Sequence, residues 1–430
     1  MVSELGSEAL ADACDQRLVD ILERQLSLLP GTASLRFATV AEVPPELALE
    51  RLEEARRASA ELVRHTPVLT AASLSSRCGG TVVLKAENLQ RTGSFKLRGA
   101  LNKVRAVGQS VAGVVAGSAG NHAQALAYAA RVAGLPCFVF MPEDAAVSKV
   151  EAVRAFGASV EQRGGSVVEC VGLAREHASA EGLAFVHPFD DLDVICGQAG
   201  LGLELLDDVP DLARVVVPVG GGGLASGVAA AVRARRPGVA VVGVRAETSA
   251  GTIADGIAIK HPGEVTGPLL DSLLDETVSV GEDDIAETMV LLVERSKLVV
   301  EGAGAVSLAA LLSGAVEASA DGSTVAVLSG GNVDVGLLAA IATRHETRVG
   351  RRLRVYTRVS DLPGGLAGLL AAVASAGANL IHVEHVREGV DLGVRETGVE
   401  LTVETRGRSH ARELLAALRE AGYEPAEVGG

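Results

Sequence analysis

The stretch Arg91-Thr92-Gly93-Ser94-Phe95-Lys96-Leu97-Arg98-Gly99-Ala100 sets a lysine at the first turn of a helix, directly after a glycine turn. Leu97, Ala100, Leu101 and Val104 keep the spacing of a buried helical stripe, and Lys96 stands one residue before it. A helical lysine is ordinarily a solvated surface residue. At the positive end of a helix and partly buried, its amine loses basicity instead, which is what a Schiff-base lysine needs.

Three loops carry the other chemical candidates. In "VVVPVGGGGLASGVAAAVRAR" an apolar run meets Gly220, Gly221, Gly222 and Gly223, and a helical pattern starts at Leu224. Four glycines can form a flexible loop. Between a strand and a helix they can also turn successive N–H groups on a phosphate, without any Cβ in the way. The run is neither Gly-x-x-x-x-Gly-Lys nor a clean Gly-x-Gly-x-x-Gly, which disfavours ATP and NAD. "GSAGNH" opens another helix, where Ser118, Asn121 and the first amides can hold a carboxylate or serve as an ordinary cap. "LSGGN" supplies Ser329, a hydroxyl able to meet an uncharged ring nitrogen. A phosphate cradle with a candidate Schiff-base lysine suggests pyridoxal phosphate.

The elements that position these loops follow a βαβ rhythm. From Thr81 to about Thr343, "TVVLKAE", "VAGVVAGS", "LPCFVFMP", "RVVVPVG", "VAVVGVRA" and "STVAVLSG" read as strands, mostly followed by helical segments. Parallel sheets covered by helices on both faces are expected, with ligands beyond the C-terminal strand ends. Pro44-Pro45 precede a charged helix over "ELALERLEEARRASAELV", and residues 1–45 form an extension with one amphipathic helix at Leu18–Leu29. After "RVGRRLR" the order becomes βαββα with a short final strand, a ferredoxin-like module.

The chain has 430 residues, 48% hydrophobic and 22% charged, with 50 glycines and no tryptophan, so a well-filled core built from Ala, Val and Leu is expected. A net charge of -15 argues against nucleic acid or an anionic membrane as partner. Cysteines 14, 78, 137, 170 and 196 are scattered, which reads as reduced thiols in the cytoplasm. The apolar run Val215 to Val232 holds Pro218 and four glycines, which excludes a spanning helix.

"ENLQRTGSFKLRGALNK", "SAGNHAQALA", "VVPVGGGGLASG", "TIADGIAIK", "KLVVEGAGA" and "VLSGGN", in this order, resemble the threonine dehydratase (threonine ammonia-lyase) family. The tail, with "SDLPGG" and "AGANLIHVEH", resembles an ACT domain. The resemblance implies an α/β fold: a two-lobed pyridoxal phosphate enzyme of fold type II over 46–345, with a small lobe inserted at about 113–188, then a ferredoxin-like ACT domain over 350–430. It implies that Lys96 holds the cofactor, with Phe95 near the ring. Asn121 would face the ring hydroxyl, Gly220 to Leu224 the phosphate, and Ser329 the ring nitrogen. Ser118, Gly120, Asn121 and His122 would hold the substrate carboxylate.

The expected reaction is elimination of water from L-threonine or L-serine, giving a 2-oxo acid and ammonia. The ACT turn at Asp361, Pro363 and Gly364, closed by Asn379, would bind an effector such as isoleucine or valine. A purely structural dimerisation module is the other reading of that tail. A homodimer or homotetramer is expected. Other readings are a different β-hydroxy amino acid such as 3-hydroxyaspartate, or an impaired amino-acid-sensing regulator. Ala119 stands where serine racemases of this fold place a second serine, which disfavours racemisation. Arg245 stands where relatives have an acidic cation ligand, and about a helix's worth of chain is missing between Ala250 and Gly251, so no metal site is carried over. His382 and His385 on a strand point to opposite faces and do not share a metal.

Overall fold

A computed structural model describes residues 43–247, 252–259, 261–387 and 392–428. The amphipathic segment expected at 18–29 and the junction at Ala250–Gly251 lie outside them. Fourteen strands form three sheets among the described residues.

The largest sheet takes β1 (Val68–Thr70), β2 (Val82–Ala86), β7 (Leu212–Pro218), β8 (Ala240–Ala246), β9 (Glu276–Val280) and β10 (Ser323–Leu328) in the order β1-β2-β10-β7-β8-β9. All pairings are parallel except the edge strand β1. Its central strands are runs of valine and alanine buried on both faces, as covering helices require. One apolar cluster lies on each side, the first between helices Leu192–Asp208 and Gly223–Arg235, the second under helix Gly302–Leu312.

The second sheet is parallel throughout, with β3 (Val114–Gly117), β4 (Cys137–Met141), β5 (Ser159–Gln162) and β6 (Ala184–Phe185) in the order β5-β4-β3-β6. Helix Lys96–Val107 precedes this sheet in the chain, yet its stripe of Leu97, Ala100, Leu101 and Val104 is buried in the same cluster as β3 and helix Asn121–Ala133. Lys96 therefore opens a helix seated on the smaller sheet, while the glycine loop belongs to the larger one.

The strand runs expected from sequence became β2, β3, β4, β7, β8 and β10. Strands β5 and β9 lie at sheet edges with largely exposed side chains, so they lack the apolar run that marks the others. The charged segment after Pro45 divides into a 3₁₀ turn, Pro45–Leu47, and helix Leu49–Ser59.

The C-terminal part runs β11 (Arg352–Ser360), helix Gly365–Ser375, β12 (Asn379–Val386), β13 (Glu396–Glu404), helix Arg408–Glu420 and β14 (Ala426–Glu427). Its antiparallel sheet is ordered β12-β13-β11-β14, the ferredoxin-like arrangement, over its own apolar cluster. Arg351 joins it to the preceding part through an ion pair with Glu294 at 2.8 Å.

Candidate active site

Helix Lys96–Val107 begins at the lysine itself. Its Nζ donates to the Pro188 carbonyl at 2.7 Å and lies 5.2 Å from the centre of the Phe95 ring. Burial lowers the amine to about 8, although the Glu301 carboxylate pulls it the other way. The preceding turn is fixed from two sides. Phe95 N–H donates to the Ser329 carbonyl at 3.0 Å, and Ser94 bridges Gly330. The lysine loop and the loop after β10 are thus one construction.

Asn121 opens helix Asn121–Ala133. Its Nδ2 donates to Glu301 Oε1 at 2.6 Å, and its Oδ1 accepts from Asn332 at 2.7 Å. Glu301 is 7% exposed, and burial raises its carboxyl to about 7 against the Asn121 hydrogen bond. Ser118 is buried, with its hydroxyl taking the Gly120 N–H at 3.3 Å. A Cβ on Gly120 would meet nothing within 4 Å, so this turn faces open space. The His122 ring faces the other way. It is buried and donates Nε2–H to the Val186 carbonyl at 2.9 Å, and burial, then the Lys96 charge, lower it to about 3. Only its backbone amide remains for a carboxylate.

The glycine loop leaves β7 and enters helix Gly223–Arg235 through Gly222, whose φ of 95° a side chain would strain. A Cβ on Gly221 would stand 2.3 Å from the Phe189 ring, and one on Gly222 2.8 Å from Thr266. Among the described residues, the N–H groups of Gly220 through Leu224 meet no protein acceptor. Ser226 Oγ, fully buried in the same first turn, also lacks a partner, as do Thr92 and Ser94 beside the lysine. Buried donors at a helix N-terminus with nothing to bind are what a phosphate monoester requires. The residues therefore fit pyridoxal phosphate. Ser329 is buried, its hydroxyl held by one long contact to the Ala303 carbonyl at 3.4 Å, which leaves it free to serve a ring nitrogen.

Sequence reading missed a buried ion network behind the lysine. Arg98 forks onto Glu87 at 2.8 Å and Glu204 at 2.7 Å, and Lys85 reaches Glu204 at 2.7 Å. Arg98 is 2% exposed and Lys85 is fully buried. "ENLQ" and "KLRG" carried the charged residues, but partners 106 positions apart in sequence give no local signal.

In the C-terminal sheet, Asp361 pairs with Arg387 at 2.9 Å, and Pro363 and Gly364 lie exposed in the turn before helix Gly365–Ser375. Asn379 does not join them. It pairs in register with Glu404, opposite Arg352, whereas Asp361 follows Ser360 at the far end of β11. Eight residues of strand, roughly 26 Å, separate the two ends. The helix carries the chain back before β12 starts, so within one chain Asn379 cannot close a site on Asp361.

Two sheets meeting at a lysine, with orphaned amides at a glycine turn, define an enzyme of the fold type II class. The pyridoxal-phosphate dependent enzyme family matches residues 60–330, and the chain belongs to it. An L-threonine ammonia-lyase of Geobacter sulfurreducens is 42% identical over 393 residues, covering 86% of this chain and 97% of its own. The solved threonine deaminase from T.th. is 40% identical with a TM-score of 0.63, covering 67% of this chain and 99% of its own. Maize serine racemase is 32% identical with a TM-score of 0.65, covering 70% and 98%.

Proposed function

We propose that this chain is a pyridoxal phosphate-dependent threonine ammonia-lyase that converts L-threonine, and L-serine, to 2-oxobutanoate or pyruvate and ammonia. The observation that carries the reading is the joint placement of Lys96 and the orphaned amides of Gly220 to Leu224, with Pro188 and Phe189 linking them. When bound, pyridoxal phosphate supplies an electron sink that acidifies the substrate Cα–H.

The protein's own groups do the rest. Lys96 accepts the α-proton at Nζ, for which an amine lowered to about 8 is suited near neutral pH. The open turn at Ser118–His122 holds the substrate carboxylate through its first-turn amides. Asn121, braced by Glu301 and Asn332, would hold the ring hydroxyl of the bound cofactor, Phe95 would pack against the ring, and the Ser329 hydroxyl would meet the ring nitrogen. The β-hydroxyl departs as water with the proton that Lys96 took from Cα, and a second water then displaces the amino nitrogen at Cα, giving the 2-oxo acid and ammonia. Ala119 offers no hydroxyl on the opposite face, which supports elimination over racemisation.

The C-terminal module acts in this reading as an amino-acid-sensing ACT domain. The turn at Asp361, Pro363 and Gly364 is its effector site, for isoleucine or valine, and the exposed edge strand β12 is the surface for pairing with a second copy. The four described cysteines are free thiols, which suits the cytoplasm. Among the described residues no helix is long and apolar enough to cross a membrane. The test is a substrate panel. L-threonine should give the highest kcat/KM, L-serine should be turned over, and 3-hydroxyaspartate should be poor. Preference for 3-hydroxyaspartate would replace the reading with another β-hydroxy amino acid.

A further inference from the structure

Within the five consecutive residues Val186 to Asp190, four each touch a different part of the site and His187 shapes the turn between them. The Val186 carbonyl accepts from His122, which sits in the first turn of the carboxylate-loop helix. The His187 Nδ1 accepts the amides of Phe189 at 3.3 Å and Asp190 at 2.7 Å, which bends the segment into a tight turn. The Pro188 carbonyl holds Lys96 Nζ at 2.7 Å. Phe189 packs against Gly221 and Gly223. Asp190 takes three successive amides from across the chain, Glu264 at 3.0 Å, Val265 at 2.9 Å and Thr266 at 3.0 Å. The Thr266 hydroxyl then donates to the Gly221 carbonyl at 2.6 Å, and its Cβ fills the space beside Gly222.

We propose that Val186–Asp190 is the positioning element of the cofactor pocket, and that Asp190 is the residue that locks the glycine loop to the lysine. A phosphate loop binds tightly only if its amides already point inward, because ordering a glycine-rich segment on binding costs conformational entropy. Glycines cannot order themselves. Here Phe189 covers one face of the loop and Thr266 the other, and Asp190 fixes both, being the neighbour of the first and the ligand of the second. The same turn presents the Pro188 carbonyl to Lys96, so the lysine and the phosphate site are set at one separation. Burial keeps His187 neutral, at about 4, which leaves Nδ1 an acceptor at working pH.

The next residue supplies a control. Asp191 also caps a helix, Leu192–Asp208, through the Asp193 and Val194 amides, but it bonds Lys103 rather than the pocket. Cofactor is removed from the full chain, and pyridoxal phosphate is titrated back while the visible absorbance of the lysine adduct is followed. This readout needs no substrate, so it stands apart from the assignment of threonine. Asp190→Asn is expected to raise the apparent Kd at least tenfold, and Thr266→Val to weaken binding in the same direction. Asp191→Asn is expected to change Kd less than threefold while lowering the melting temperature of the cofactor-free protein at least as much. Binding unchanged in Asp190→Asn would overturn the proposal. So would equal losses of affinity in Asp190→Asn and Asp191→Asn, because capping alone would then account for both.

Discussion

Asn121 Nδ2 lies 2.6 Å from Glu301 Oε1, although the two residues are 180 positions apart. One opens a helix on the smaller sheet and the other immediately precedes a helix on the larger, so this bond ties the two sheets together. It also leaves a nearly buried carboxyl beside the Lys96 amine.

A pH signature follows from that carboxyl. Burial raises Glu301 to about 7 in the folded protein, above its unfolded value. Between roughly pH 4.5 and 7 the folded state then binds the extra proton, so this group's stabilising contribution is complete at low pH and is lost as pH rises through 7. Glu301→Gln should remove that part of the slope. Melting curves of the cofactor-free protein should show wild type losing ground to Glu301→Gln from pH 5 to 7. Parallel curves would contradict the burial argument.

Lys96 should respond to the same substitution. Its amine titrates at about 8, lowered by burial and raised again by Glu301. The rate at which cofactor-free protein captures pyridoxal phosphate should therefore rise with pH up to a limb near 8. In Glu301→Gln the limb should move to lower pH, because the carboxylate that favours the ammonium is gone. An upward move would reverse the assigned sign.

The network behind the lysine gives a stability prediction. Arg98→Met leaves the buried Glu87 carboxylate without a cation and Glu204, held low by Arg98 and Lys85 despite its burial, with Lys85 alone. Breaking a buried pair from one side typically costs about 3–5 kcal/mol. Urea unfolding should show a loss of that order, and a loss under about 1 kcal/mol would mean that the network is solvated.

These relationships mark what the sequence could and could not show. Lys96, the glycine loop and Asn121 each sit where a strand or turn gives way to a helix, Ser329 sits directly after a strand, and that punctuation is local. Glu301, Arg98 and Asp190 act through partners brought close only by the tertiary fold. The Pro188 carbonyl contact to Lys96 leaves no trace in residue type. Asn379 misled for a related reason. Its place after a glycine suggested a pocket rim, but strand register puts it at the opposite end of the sheet from Asp361.

Truncation after Arg348 tests the sensing role. The C-terminal module has its own apolar cluster, so the remainder keeps its core. The shortened enzyme should turn over L-threonine and ignore isoleucine and valine, while the intact chain responds to one of them. An intact chain that binds neither by calorimetry would rule the role out.

Lys96 is the residue on which cofactor attachment and turnover both depend. Borohydride reduction of the cofactor-loaded protein, followed by digestion and peptide mass spectrometry, should place the added pyridoxyl mass on the peptide containing Lys96, and Lys96→Ala should fold yet carry no adduct and deaminate no L-threonine. An adduct on Lys85 or Lys103 instead, or full turnover by Lys96→Ala, would contradict it.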